Sequence, residues 1–312
     1  MNFSITKIKR KVKKIRINTT LLIFITSMIM IITKQSIIQK SIKMSIELCL
    51  SSIIPAIFPF MILSDYVIGK IKIDKDSKIS TAFRKVFSIN NSGIISFIVG
   101  NICGFPLGAQ MASRLYDEGS ITEQEYDRLV PICSNPSLAF VISGIGCGMR
   151  GSFYDGVILY TVLIISTILT GIIWKKHSAS DFHAAFSFNS FSLPESIKNA
   201  ANSCFYVSSY IIFFSIFVGL IKSFFPNNVF FLMLISLLEI GNAASLISKE
   251  LSSSIISLPL TAFSLGFSGI SVYMQTLCFA PSNIKNNYYI KMKLTEGIIA
   301  FIITWLITLL QQ

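Results

Sequence analysis

The sequence predicts an all-α polytopic membrane protein made of two internal repeats, inverted relative to each other, with re-entrant hairpins and broken helices. Three observations predict it. The chain is 52% hydrophobic and only 13% charged, against about 25% charged residues in soluble domains, and its mean hydropathy is +0.67. Apolar segments of bilayer length alternate with basic loops. Two uncharged segments are interrupted, 129–149 at Asn135-Pro136 and 251–284 at Gly266-Phe-Ser-Gly269. Proline removes a backbone donor, and in hydrocarbon the freed carbonyls must find protein or a wet cavity. Such breaks predict a polar lining at membrane depth, the arrangement that transporters build from discontinuous helices.

In chain order, 1–20 carries Lys7, Lys9, Arg10, Lys11, Lys13, Lys14 and Arg16 with no acid, ahead of an apolar stretch over 17–33. This reads as an uncleaved first span with the N-terminus in the cytoplasm. Segment 45–71 is interrupted by Pro55 and Pro59 and ends near Asp65. The basic loop after it holds Lys70, Lys72, Lys75, Lys78, Arg84 and Lys85 and reads as cytoplasmic.

Segment 92–100 is too short to span alone and leads into Gly104-Phe-Pro-Leu-Gly108. A charged helix follows, and Ser120-Ile-Thr-Glu123 has the pattern of a capping box. Segment 157–174 is an uninterrupted span closed by Lys175-Lys176.

After a polar linker the order returns. Segment 196–221 parallels 45–71, and 229–238 parallels 92–100. Glu239-Ile-Gly-Asn242 parallels the glycine-rich turn, the break at 266–269 parallels Ser134-Asn-Pro136, and 297–312 closes the chain. The organisation is 1–44, basic N-terminus and first span; 45–176, first repeat; 177–195, linker; 196–312, second repeat. If Lys175-Lys176 is cytoplasmic, the second repeat enters the membrane from the opposite side to the first.

The net charge of +12 does not point to nucleic acid, because most of the basic residues flank apolar segments and no soluble basic domain exists. Cys49, Cys103, Cys133, Cys147, Cys204 and Cys278 never form a CxxC pair and read as small buried hydrophobes. His177 and His183 lie in the linker at no ligand spacing. There is no Walker loop and no nucleophile–base constellation. The expectation is therefore a non-enzyme without cofactor or metal, partnered by the lipid bilayer and a small solute.

The residues expected to bind that solute are polar groups at the breaks. Glu239, after the apolar run 229–238, is costly in lipid unless paired, protonated or wet; with Asn242 it reads as a solute site or as the seat of a coupling ion, sodium or a proton. Asn135, Ser137, Ser268 and Ser271 flank the two breaks, where half-helix N-termini favour anions; the same residues also serve as caps. Asn101 and Gln275 both donate and accept, and as polar groups in spans they also serve to hold helices together. Arg150 is expected to snorkel to the interface. Glu47 and Glu296 stand near span ends, where a lysine is the expected partner.

Several phrases resemble the YlbJ-type sporulation integral membrane proteins, within the wider group that carries nucleoside-recognition (Gate) domains. They are Ile54-Pro-Ala-Ile-Phe-Pro-Phe60 with Ser64-Asp65, Gly104-Phe-Pro-Leu-Gly-Ala109 with Leu115-Tyr116, Ser134-Asn-Pro-Ser137, Leu238-Glu-Ile-Gly-Asn242, and Leu265-Gly-Phe-Ser-Gly-Ile-Ser-Val272 with Gln275. Gate domains look like the core of concentrative nucleoside transporters. The resemblance implies a multi-pass protein of the mother-cell-derived membrane around the forespore, linked to passage of dipicolinate and to cortex formation. It leaves open a structural or assembly factor with a sporulation membrane partner, a homo-oligomer, or a nucleoside permease.

Overall fold

The structure, a computed structural model, describes residues 19–68, 78–176, 192–225, 229–281 and 288–311. The basic residues before position 17, Lys70, Lys72 and Lys75, the two linker histidines and Lys285 lie outside them, as does the side chain of Asp65.

Among the described residues all regular structure is helical. The helices are α1 (Thr19–Thr33), α2 (Gln35–Leu48), α3 (Ile54–Ile68), α4 (Lys78–Phe87), α5 (Gly93–Ile102), α6 (Leu107–Asp117), α7 (Glu123–Cys133) and α8 (Phe153–Ile173). They continue with α9 (Leu193–Phe224), α10 (Val229–Leu238), α11 (Ile240–Glu250), α12 (Ser257–Phe267), α13 (Gly269–Leu277) and α14 (Tyr289–Leu310). Two π-wound segments, Cys49–Ile53 and Phe140–Met149, complete the set. Among the described residues five stretches are long and apolar enough to cross a membrane: Gln35–Leu63, Phe153–Ile173, Leu193–Phe224, Ser257–Leu277 and Tyr289–Leu310.

Two local expectations need correction. Pro55 and Pro59 do not interrupt their segment, because helix continues from Gln35 to Ile68 through the π turn at Cys49–Ile53. The wider turn lies just ahead of Pro55, where an α-helical pattern of hydrogen bonds cannot continue unbroken. The capping box forms at Thr122 and Glu125 rather than at Ser120 and Glu123. Thr122 N donates to Glu125 Oε2 at 2.9 Å, and Glu125 N donates to Thr122 Oγ1 at 3.3 Å. Glu125 is the better partner because its second oxygen also accepts Asn90 N at 2.9 Å.

Named contacts define the two ends of the bundle. At one end Lys175 donates to the Lys85 carbonyl, Lys176 donates to Tyr288 Oη at 2.8 Å, and Arg128 donates to the Ser88 carbonyl at 2.8 Å. At the other end Arg150 pairs with Asp155 at 2.7 Å and donates to Ser257 Oγ at 3.0 Å, and Lys222 pairs with Glu250 at 3.2 Å. Arg150 is thus held by protein partners instead of reaching outward; its side chain is 10% exposed. Ser88, ahead of α5, is thus bonded at the first end, and Glu250, the last residue of α11, at the second.

Helices meet through small residues, which lets backbones approach closely. A Cβ on Gly100 would stand 1.9 Å from the Cys133 carbonyl oxygen, and one on Gly108 2.0 Å from the same atom. This brings α5, α6 and the end of α7 together. Gly266 meets Gly297 between α12 and α14, and Gly146 meets Gly156 between the second π segment and α8. The break after α12 is a left-handed pair, Ser268 with φ 66° and Gly269 with φ 74°. Gly269 lies against Leu238 and Glu239, where a Cβ would come within 2.9 Å of the Leu238 carbonyl.

Candidate solute-binding site

The tip between α10 and α11 is a single extended residue, Glu239, with φ −155° and ψ 125°. Its carboxylate folds back over the helix that it starts. Oε1 accepts Gly241 N at 2.6 Å; Oε2 accepts Asn242 N at 2.6 Å and Asn242 Nδ2 at 2.9 Å. The first turn of a helix offers unsatisfied N–H groups and partial positive charge, which is what lets an acid stand here at 1% exposure. Asn242 Oδ1 in turn accepts Ser45 Oγ from α2 at 2.7 Å.

Glu239 faces a cavity of about 20 Å³, room for roughly one water. Its polar wall is Ser137, Glu239, Ser271 and Gln275; Cys103 and Phe105 from the α5–α6 tip, with Ile57, Phe140, Val207 and Val272, complete much of the rest. Residues from both halves of the sequence therefore meet in one cavity. Ser137 Oγ accepts Phe140 N at 3.1 Å and so caps the helical turn that leads into the second π segment. Gln275 is 4% exposed and its Oε1 has no partner.

Asn242 lies on the wall of a second, larger cavity of about 280 Å³, among Ser41, Glu47, Gly148, Lys222 and Lys249. It thus stands between the two cavities, bonded to Glu239 on one side. Ser268 sits at the break itself, 0% exposed, with its hydroxyl donating to the Leu265 carbonyl at 3.0 Å. It is not on the wall of either cavity.

Asn101 and Asn135 belong to a different constellation. Asn135 Nδ2 donates to Asn101 Oδ1 and to Thr167 Oγ1, both at 2.8 Å. Asn135 Oδ1 accepts Lys293 Nζ at 2.6 Å, and Lys293 pairs with Glu296 Oε2 at 2.9 Å. Thr167 Oγ1 donates to Glu296 Oε1 at 2.7 Å, closing the ring. Asn101 Nδ2 also donates to the Ile132 carbonyl at 3.1 Å. Phe105 N donates to the Asn135 carbonyl at 2.9 Å, which ties the α5–α6 tip to the break after α7. Lys293, Glu296, Thr167 and Asn135 are all 0–1% exposed.

Lys293 and Thr167 are the members that sequence reasoning misses, and it marks Glu296 only as a paired acid near a span end. Their signal is the i, i+3 spacing of Lys293 and Glu296, which puts the two on one helical face.

Among the described residues, five crossing-length helical stretches, with broken segments and buried polar groups at the breaks, define a multi-pass, helical integral membrane protein. No known family model matches the chain, and no solved structure matches it. Among curated proteins it is similar to the sporulation integral membrane protein YlbJ of Bacillus subtilis (strain 168). The two are 21% identical over 300 residues, covering 82% of this chain and 74% of that protein.

Proposed function

We propose that this chain is a sporulation membrane protein that carries a small solute across the membrane as a transporter or facilitator. The resemblance to YlbJ supports the sporulation setting, in the mother-cell-derived membrane around the forespore. It favours dipicolinate, moved toward the forespore, as the solute.

The observation that carries the transport reading is the cavity at Glu239, walled by the tips and breaks of both halves of the sequence. One long helical stretch, four short ones and one long one follow each other twice, from Gln35 to Ile173 with α4 inserted and from Leu193 to Leu310. In this reading the two are inverted repeats. Its support is that Ser88, ahead of α5, and Glu250, at the end of α11, are bonded at opposite ends of the bundle; in this reading each helix pair, α5–α6 and α10–α11, is a re-entrant hairpin and the cavity gains access from either side in turn. The cavity has room for roughly one water, so this reading requires it to enlarge, by movement of one hairpin, for a solute to pass.

The test is uptake of radiolabelled dipicolinate into proteoliposomes holding the full chain. Uptake above empty liposomes, and its loss in Glu239→Gln at equal incorporation, is the expected result. Wild-type uptake equal to that of empty liposomes sinks the reading.

A further inference from the structure

A third cavity, an apolar groove of about 270 Å³, lies between α4, α5 and α8. Ile79, Ala82 and Val86 of α4, Ile98 of α5 and Ile168 of α8 are on its wall, and every side chain there is apolar. Its aromatic lining is a cluster: Phe83 lies 4.9 Å from Phe87 and 5.7 Å from Phe97, centroid to centroid. α4 is seated on α8 at Gly171, where an added Cβ would stand 2.3 Å from Phe87. The groove is open to the outside: Ile79 is 70% exposed, and Ala82 is exposed. Water finds no hydrogen-bond partner on such a wall, whereas a hydrocarbon chain is at home there.

Depth and charge identify the occupant. Trp174 and Tyr288 pack edge to face at 5.9 Å where α8 ends, and such aromatic pairs mark the headgroup level of a bilayer. Lys175 follows, and its ammonium donates to the Lys85 carbonyl in the last turn of α4. An ammonium has three N–H donors, so two remain on Lys175, and the side chain of Lys85 is exposed beside it. No Asp or Glu occurs from Lys78 to Tyr116. The acid of α7 on this side, Asp127, is paired in charge with Lys176 and Arg128. Ile168 precedes Lys175 by seven residues, which puts the groove about 10 Å deeper along the helix. Two lysines at headgroup depth above an open apolar slot match the two parts of one phospholipid.

We propose that this groove is a binding site for an anionic glycerophospholipid, with the phosphate on Lys85 and Lys175 and one acyl chain lying against Phe83, Phe97 and Ile168. Lysines at the surface attract anionic headgroups; a zwitterionic lipid brings its own cation to the same place and gains less. The site is independent of the inner cavity and of any solute carried there.

Native mass spectrometry of the full chain in detergent tests this by titration with dioleoylphosphatidylglycerol and with dioleoylphosphatidylcholine. The acyl chains are identical, so the comparison isolates the headgroup. The first phosphatidylglycerol is expected to bind about ten-fold tighter than the first phosphatidylcholine. That preference is expected to vanish in the double variant Lys85→Ser with Lys175→Ser, and to persist in Lys249→Ser, an exposed lysine at the end of α11. Ala82→Phe, which fills the groove, is expected to weaken phosphatidylglycerol binding with both lysines intact. Equal affinity of the wild-type protein for the two lipids overturns the proposal without recourse to any variant. So does a preference that survives the double variant, one that Lys249→Ser abolishes equally, or tight binding that Ala82→Phe leaves unchanged.

Discussion

Lys293 and Glu296 form an ion pair at 2.9 Å one turn apart on α14, with side chains 1% and 0% exposed. Asn135 and Thr167 complete their hydrogen bonding, which is the condition under which a buried pair is tolerated. Removing one partner leaves the other charge buried alone. Lys293→Met or Glu296→Leu is expected to destabilise the protein by roughly 3–5 kcal/mol, while the double variant recovers most of that loss. Thermal unfolding in detergent compares the three; a double variant no better than the singles would show that the pair is not the unit.

Asn135 is the hub of the same ring, with bonds to Asn101, Thr167 and Lys293. Asn135→Ala strands several buried polar groups, each worth about 1–3 kcal/mol when unsatisfied. It is expected to lower the melting temperature more than Ser137→Ala, whose hydroxyl accepts one backbone N–H at 3.1 Å. The reverse order would argue against the ring as the support of the break.

Gly100 and Gly108 both approach the Cys133 carbonyl, at Cβ distances of 1.9 and 2.0 Å. Alanine at either position must push backbone against backbone, and overpacking of this kind costs about 1–3 kcal/mol or more. Gly144, whose added Cβ meets nothing nearer than 3.4 Å, is the control. Size-exclusion profiles of Gly100→Ala, Gly108→Ala and Gly144→Ala are expected to show loss of the folded peak in the first two only.

The proposed inverted arrangement predicts the sidedness of labelling. In a cysteine-free background, Glu118→Cys at the turn after α6 and Ser252→Cys after α11 are expected to react with a membrane-impermeant maleimide from opposite faces. Both positions are exposed. Reaction of both from one face contradicts the inverted arrangement.

Much of this is legible in the sequence because lipid makes polar interruptions conspicuous. Glu239 stands out after an apolar run, and the break at Ser268 and Gly269 is announced by its glycines. Lys293 and Glu296 do not stand out, since the start of α14 also holds Lys291 and Thr295 and reads as an interfacial helix end. Only packing against α7, α8 and α12 distinguishes the buried face. Pro55 and Pro59 mislead for a related reason: a π turn absorbs what a propensity argument counts as a break. Two overlapping patterns, Ser120 to Glu123 and Thr122 to Glu125, compete for one helix start, and a distant amide, Asn90 N, decides between them.

Glu239 has a consequence for how the protein reports its own occupancy. In the proposed transport reading, the carboxylate that engages a solute is the same one that shelters the amides of Gly241 and Asn242. A guest that draws those oxygens away loosens the opening turn of α11, and a guest that leaves them in place does not. If that reading holds, deuterium uptake at these two amides rises when a solute fills the cavity.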